Sequence, residues 1–170
     1  MNAKALIAPS HFYNYIKLVE EADIKTALKN ETGSAVKYFN SITEEHALHK
    51  YAEGKWTIKE VLQHIIDAER IFSYRALALA RKDKNSLPSF DEKEYAENAN
   101  GNSRSWKELV EEFVAVRKAT EILFDSFTEE HLHATGIAGN SEISVVALGY
   151  TTVGHTLHHI NILKERYQAI

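Results

Sequence analysis

The sequence predicts an all-α protein, a four-helix bundle built from two helical hairpins with a long connection between helices two and three. Thr57-Ile58-Lys59-Glu60 and Ser105-Trp106-Lys107-Glu108 are capping boxes. In such a box a hydroxyl at the N-cap and a Glu three residues on satisfy two backbone donors that the helix leaves unpaired. Both prolines, Pro9 and Pro88, fall outside the predicted helices, so no helix interior is broken by a missing donor. Period-two alternation is scarce, and no Asn-Gly turn joins two alternating runs.

The first helix starts at Asp23 as N-cap and runs to about Ser41, with Ile24, Ala27, Leu28, Ala35, Phe39 and Ile42 as its apolar positions. Gly33 weakens its middle by about 1 kcal/mol relative to Ala. The second runs from Thr57 to about Arg81, the third from Ser105 to about Ser126, and the fourth from Ser144 to about Tyr167. Ser41-Ile42-Thr43-Glu44-Glu45-His46 recurs as Ser126-Phe127-Thr128-Glu129-Glu130-His131, each copy between two long helices. Two packed hairpins explain that recurrence, and so does the plain fact that Thr-Glu-Glu starts helices well. Lys82 to Ser105 is long for a bundle connection, holds one short helix around Phe90–Tyr95, and can pass over an open end of the bundle. Asn140-Ser141-Glu142 and Gly101-Asn102-Ser103 read as loops.

The chain has 170 residues and a formal net charge of −4. That length suits a single domain, residues 1–170, burying roughly 70% of its unfolded surface. The charge and the dispersed Lys and Arg argue against nucleic acid as a partner. No apolar stretch approaches the roughly 18 residues of a membrane span, and the apolar run Ala5–Ala8 is too short for a secretory leader. A cytoplasmic location is the default expectation. With no Cys, the chain can form neither disulfides nor thiolate zinc sites, and has no sulfur nucleophile of its own.

Nine histidines remain. On the fourth helix His155 and His159 lie about 40° apart, beside Leu148, Thr152 and Ile162. His158 falls on a polar flank. An i, i+4 histidine pair is how one helix presents two imidazoles to one ion, but no Glu stands between them as the base of a zinc peptidase. His64 shares the apolar arc of the second helix with Val61, Ala68 and Ile71 and is the best third ligand; His46, His49, His131 and His133 fall in connections, and His11 lies near the terminus. Inward histidines also occur simply as hydrogen-bonded core groups. A di-iron carboxylate bundle wants two Glu-x-x-His motifs, and only Glu130–His133 fits that spacing. Arg75, about 20° from His64 on the same helix, can bind a substrate carboxylate or pair with an acid. Asp67, one turn from His64, can orient a ligand imidazole or be a solvated or Arg-paired carboxylate.

Gly54-Lys55-Trp56-Thr57, the run His64…Asp67…Glu69-Arg70 and the terminal Gly154-His155…His158-His159 together resemble the DinB/YfiT-like family of metal-dependent four-helix-bundle proteins. Glu53 stands where members often carry proline. The resemblance spans nearly the whole chain and implies a divalent ion on His64, His155 and His159, zinc or nickel ahead of iron or manganese. It also implies a small-molecule substrate and a homodimer, for which Val146, Val153, Leu157 and Ile160 offer a second apolar arc, although burial within the bundle has the first claim on it. Members include transferases and isomerases that use low-molecular-weight thiols, alongside hydrolases. The leading expectation is therefore a metal-dependent enzyme activating a thiol or a water. The alternatives are a non-catalytic metal- or ligand-binding bundle with a stress-response or sensing role, and a purely structural one.

Overall fold

Side-chain caps start each of the four long helices where the sequence marks them, in a computed structural model that describes residues 6–169. Residues 1–5, which begin the stretch read as too short for a leader, lie outside the described part. A 3₁₀ turn at Ser10–Phe12 leads into α1 (Tyr13–Ile16), followed by α2 (Ile24–Asn40), α3 (Ile58–Ala80), α4 (Glu92–Ala99), α5 (Trp106–Asp125) and α6 (Glu129–Leu132). The hairpin β1 (Thr135–Ala138) and β2 (Ser141–Ser144) then delivers the chain into α7 (Val145–Arg166). Thr57 and Ser105 both complete their capping boxes, while Asp23 and Ser144 accept from Thr26 N and Ala147 N. Gly33 does not interrupt α2, which is anchored on both sides by buried Leu28 and Ala35.

The bundle is more specific than two hairpins laid together. The main interfaces are α3–α7, α3–α5, α2–α5 and α2–α7. Each helix therefore packs between the two helices of the other sequential pair, and α2 stands diagonally across from α3. Two apolar clusters fill the bundle, one around Leu28, Phe72, Phe124 and Leu148, the other around Phe39, Ile65, Phe113 and Leu163. Between them lies a polar waist to which every long helix contributes. Thr32 donates to Glu121 at 2.7 Å, Ser73 and Thr120 share a 2.9 Å hydrogen bond, and Arg117 binds Glu69 and Thr156. His155 sits at this same level of α7, so the waist carries charge and chemistry through an otherwise apolar core.

The short segments cover what the long helices leave open. α1 lies against α7 where Gly154 has no side chain; a Cβ there would collide with the Tyr15 carbonyl. Val153 and Ile160 are buried, and Val146 and Leu157 are partly covered. The apolar arc that offered a dimer face is thus largely used within the chain. The repeated hexapeptide is realised locally: His46 N donates to Thr43 Oγ1 at 3.2 Å and His131 N to Thr128 Oγ1 at 3.4 Å.

One loop assignment is corrected. Asn140-Ser141-Glu142 is a turn and strand rather than an open loop, because Gly139 and Asn140, with φ of +59° and +66°, form a two-residue hairpin turn. Positive φ at both central residues is what a type I′ turn requires, and Gly-Asn supplies it as Asn-Gly does. The long connection leans on this hairpin: Leu87 N donates to Ile137 O and Gly139 N to Leu87 O, both at 3.0 Å. Those bonds hold Pro88, Ser89 and Phe90 beside the end of β1. Asp91 then caps α4, the short helix expected in this region, which packs on α3.

Candidate metal centre

The apolar faces of α3 and α7 meet at the bundle's largest helix–helix interface, and that contact brings His64 against His155 and His159. His64 Nε2 lies 3.0 Å from His155 Nε2, and His159 Nε2 lies 3.1 Å from the same atom. Their ligand atoms all fall within 4.8 Å of one another. His155 is the hinge of the group, 5% exposed and in contact with both others.

Burial pushes the His64 imidazole down to about 4, against a smaller opposing influence from Glu92. Burial also holds His155 and His159 well below the ordinary histidine range, reinforced by the neighbouring imidazoles. All three rings are thus neutral at pH 7. A neutral Nε2 carries either one proton or one lone pair, so His155 Nε2 can make a good hydrogen bond to one neighbour and not to both. A cation shared by three lone pairs resolves that conflict. Two of the three nitrogen pairs lie 3.0 and 3.1 Å apart and all lie within 4.8 Å, so His64, His155 and His159 could hold one divalent ion between them. The residues present fit a divalent ion.

The depressed basicities have a consequence for the metal-free protein. Below its ordinary value of 6.5 an unfolded His64 takes up a proton that the folded ring refuses until about 4. Stability is therefore full above pH 6.5 and declines as pH falls from 6.5 towards 4, by about 3 kcal/mol from His64 alone. His155 and His159 act in the same direction. In chelator-treated protein, the urea midpoint should fall between pH 7 and 5.5, and His64→Gln should flatten that fall. An equal slope in the variant would show that His64 is not held neutral.

A cavity of ≈ 500 Å³ opens beside the three imidazoles. Trp56 stands 5.1 Å from His64 between ring centroids, and Tyr15 and Phe72 stand 5.3 and 5.8 Å from His155. Phe12 packs on Phe72, and Phe90, Ser89 and Glu92 come over from the long connection. Trp56, directly before the N-cap of α3, thus forms part of the cavity wall. His11, which sequence position made unpromising, also lines the cavity. The Ser10–Ile16 segment has no periodicity that would have announced this role.

Asp67 takes the Arg-paired alternative. It accepts from Gln63 Nε2 at 3.0 Å and faces Arg70 Nη1 at 3.8 Å. One turn from His64 along α3, it is still about 60° round the helix, on the flank lined by Glu94, Tyr95 and Asn98. Among the described residues no histidine bonds to it. Arg75, by contrast, lines the cavity, 5% exposed. His158, half-buried, packs on Tyr15 and His159 at 5.2 and 5.1 Å and stays outside the converging trio. The buried pair Glu69–Arg117 was not singled out by the sequence reading, since Arg117 sits in no motif and only its helix face hints at burial.

Comparison with known proteins agrees with this architecture. A protein of Oceanobacillus iheyensis named "Putative metal-dependent hydrolase" is 28% identical over 137 residues, 79% of this chain and 76% of its own. The solved structure of YfiT from Bacillus subtilis, described as a probable metal-dependent hydrolase with an unusual four-helix bundle topology, superposes with a TM-score of 0.69. That match covers 95% of this chain and 89% of the other at 17% identity, which establishes a shared fold. The family model of the DinB superfamily matches residues 27–163, and the chain belongs to that superfamily.

Proposed function

We propose that the protein is a divalent-metal-dependent enzyme of hydrolase type acting on a small substrate, with His64, His155 and His159 holding the ion. The observation that carries this reading is the convergence of three Nε2 atoms, those of buried His64 and His155 and half-buried His159, at the wall of a cavity of ≈ 500 Å³. The names of the two relatives point the same way. A divalent ion, when bound, supplies positive charge that acidifies a coordinated water or thiol.

The chain's own residues do the rest. The imidazoles are kept neutral by burial and are ready to bind without first losing protons. Trp56, Tyr15 and Phe72 screen one side of the trio from bulk water. Glu92 is the one carboxylate among the residues lining the cavity, its charge acts on His64, and it is our candidate to accept a proton from the attacking group. Thiol transfer is the second reading. The cavity reaches well beyond the imidazoles and has room for a co-substrate, and without Cys the sulfur must arrive on that molecule.

Protein purified without an affinity tag should contain close to one divalent ion per chain. It should turn over at least one member of a panel of esters, amides and lactones, offered with and without cellular thiols. Chelation should abolish that turnover, and Glu92→Gln should lower kcat/KM by about 10²-fold or more. Metal-loaded protein inert across the panel would instead identify a non-catalytic metal-binding bundle.

A further inference from the structure

Arg75 is a buried cation without a counter-ion among the described residues. The residue is 5% exposed, and among the described residues no carboxylate oxygen lies within ion-pair distance of its guanidinium. Its hydrogen bond there runs from Nη2 to Pro88 O at 2.6 Å. The ring of Phe90 lies 5.9 Å from the guanidinium carbon. Burial lowers its basicity without another cause of note. An arginine in so dry a place normally pairs with a carboxylate, because an isolated buried charge is costly. Here it faces the cavity that also holds the three imidazoles.

Pro88 O takes only one of the five guanidinium protons. Whichever Nη2 proton it takes, one two-pronged edge stays free, either Nε with Nη2 or Nη1 with Nη2. Such an edge matches the two oxygens of a carboxylate. The route from Arg75 to the histidines is lined by rings: Phe90 over the guanidinium, then Phe72 against Phe12 at 5.8 Å, then Phe72 against His155 at 5.8 Å. Among the described residues no Lys lines the cavity and Glu92 does, which suits a singly charged planar anion better than a dianionic phosphate.

We propose that Arg75 determines specificity, its free fork holding the carboxylate of a small substrate whose apolar body lies along Phe12, Phe72 and Phe90 towards the three histidines. The placement of the reacting end rests on the metal-dependent reading above; the fork itself does not.

Calorimetric titration with 4-phenylbutyrate, the neutral 4-phenylbutanamide and 4-phenylbutylphosphonate tests this on zinc-loaded and chelator-treated protein. The acid should bind at least about tenfold more tightly than the amide, in both forms, as expected for a charge-assisted pair. Arg75→Gln should erase that preference. Arg75→Lys, which keeps the charge but lacks the fork, should retain only part of it. A folded Arg75→Gln protein that keeps the full preference would overturn the proposal. If Arg75→Gln melts early, an Arg75→Lys protein with undiminished preference would overturn it instead. Disappearance of the preference on chelation would place the anion on the metal, and tighter phosphonate binding would exclude the carboxylate class. Zinc content measured on the same samples separates the two readings. Preference in a protein that takes up no zinc when offered it defeats only the metal-dependent function, and bound zinc without preference defeats only the role of Arg75.

Discussion

His155→Ala is expected to strip the protein of its metal, lowering affinity by more than about 100-fold, since losing even an outer partner of a ligand costs 10–100-fold. His155 is the member of the trio whose Nε2 touches both others, at 3.0 and 3.1 Å. It is also among the residues of α7 buried at the polar waist, so no side chain from solvent can take its place. His64 and His159 would be left without the atom they share. His158→Ala, one turn-flank away and half-exposed, should keep the ion, because His158 reaches His159 only ring to ring at 5.1 Å. Metal content after desalting, followed by competitive titration with a chromophoric chelator, measures both. Equimolar metal in His155→Ala, or equal loss in His158→Ala, would remove the three-histidine site.

Why the trio could be seen in the sequence while its surroundings could not is a matter of range. Helical periodicity is local, so spacing alone puts His155 and His159 on one face and His64 on the apolar stripe of another helix. Caps are local too, and Thr57, Ser105 and Ser144 mark their helix starts correctly. Which helices become neighbours depends instead on surfaces meeting across the whole chain. Nothing in the capping boxes says that α2 stands across from α3. The cavity walls have the same origin. Phe12 and Tyr15 come from an irregular N-terminal segment seated where Gly154 leaves α7 bare. Phe90 comes from a connection held by two backbone bonds between Leu87 and the hairpin. The hairpin was legible in principle, through Gly139-Asn140, but its four-residue strands are too short for alternation to show. Asp67 shows the same limit: one turn from His64 it could face a ligand or an arginine, and only the packed angle round the helix turns it to Gln63 and Arg70.

Glu69→Gln is expected to destabilise the protein by about 3–5 kcal/mol, because it leaves a buried guanidinium without its counter-charge. Arg117 is 0% exposed and donates from Nε and Nη2 to both Glu69 oxygens at 2.9–3.1 Å, with Nη2 also reaching Thr156 Oγ1 at 3.0 Å. Its Nη1 has no partner among the described residues, so the site has no spare acceptor to absorb the loss. For a chain of this size the change corresponds to a fall in Tm on the order of 10 °C. The double variant Glu69→Leu with Arg117→Met should recover most or all of that stability, since apolar replacements avoid the desolvation of two ions. Recovery should not extend to the metal. Glu69, Arg117 and Thr156 tie α3, α5 and α7 at one level, and Thr156 follows His155 directly, so the tie fixes the sliding register that brings His155 to His64. The double variant should therefore melt close to wild type yet bind metal about tenfold or more weakly, in the range of outer-shell losses. A double variant as unstable as Glu69→Gln would show that the ion pair itself stabilises the bundle. Unchanged metal affinity in a stable double variant would show that apolar packing alone sets the register of the site.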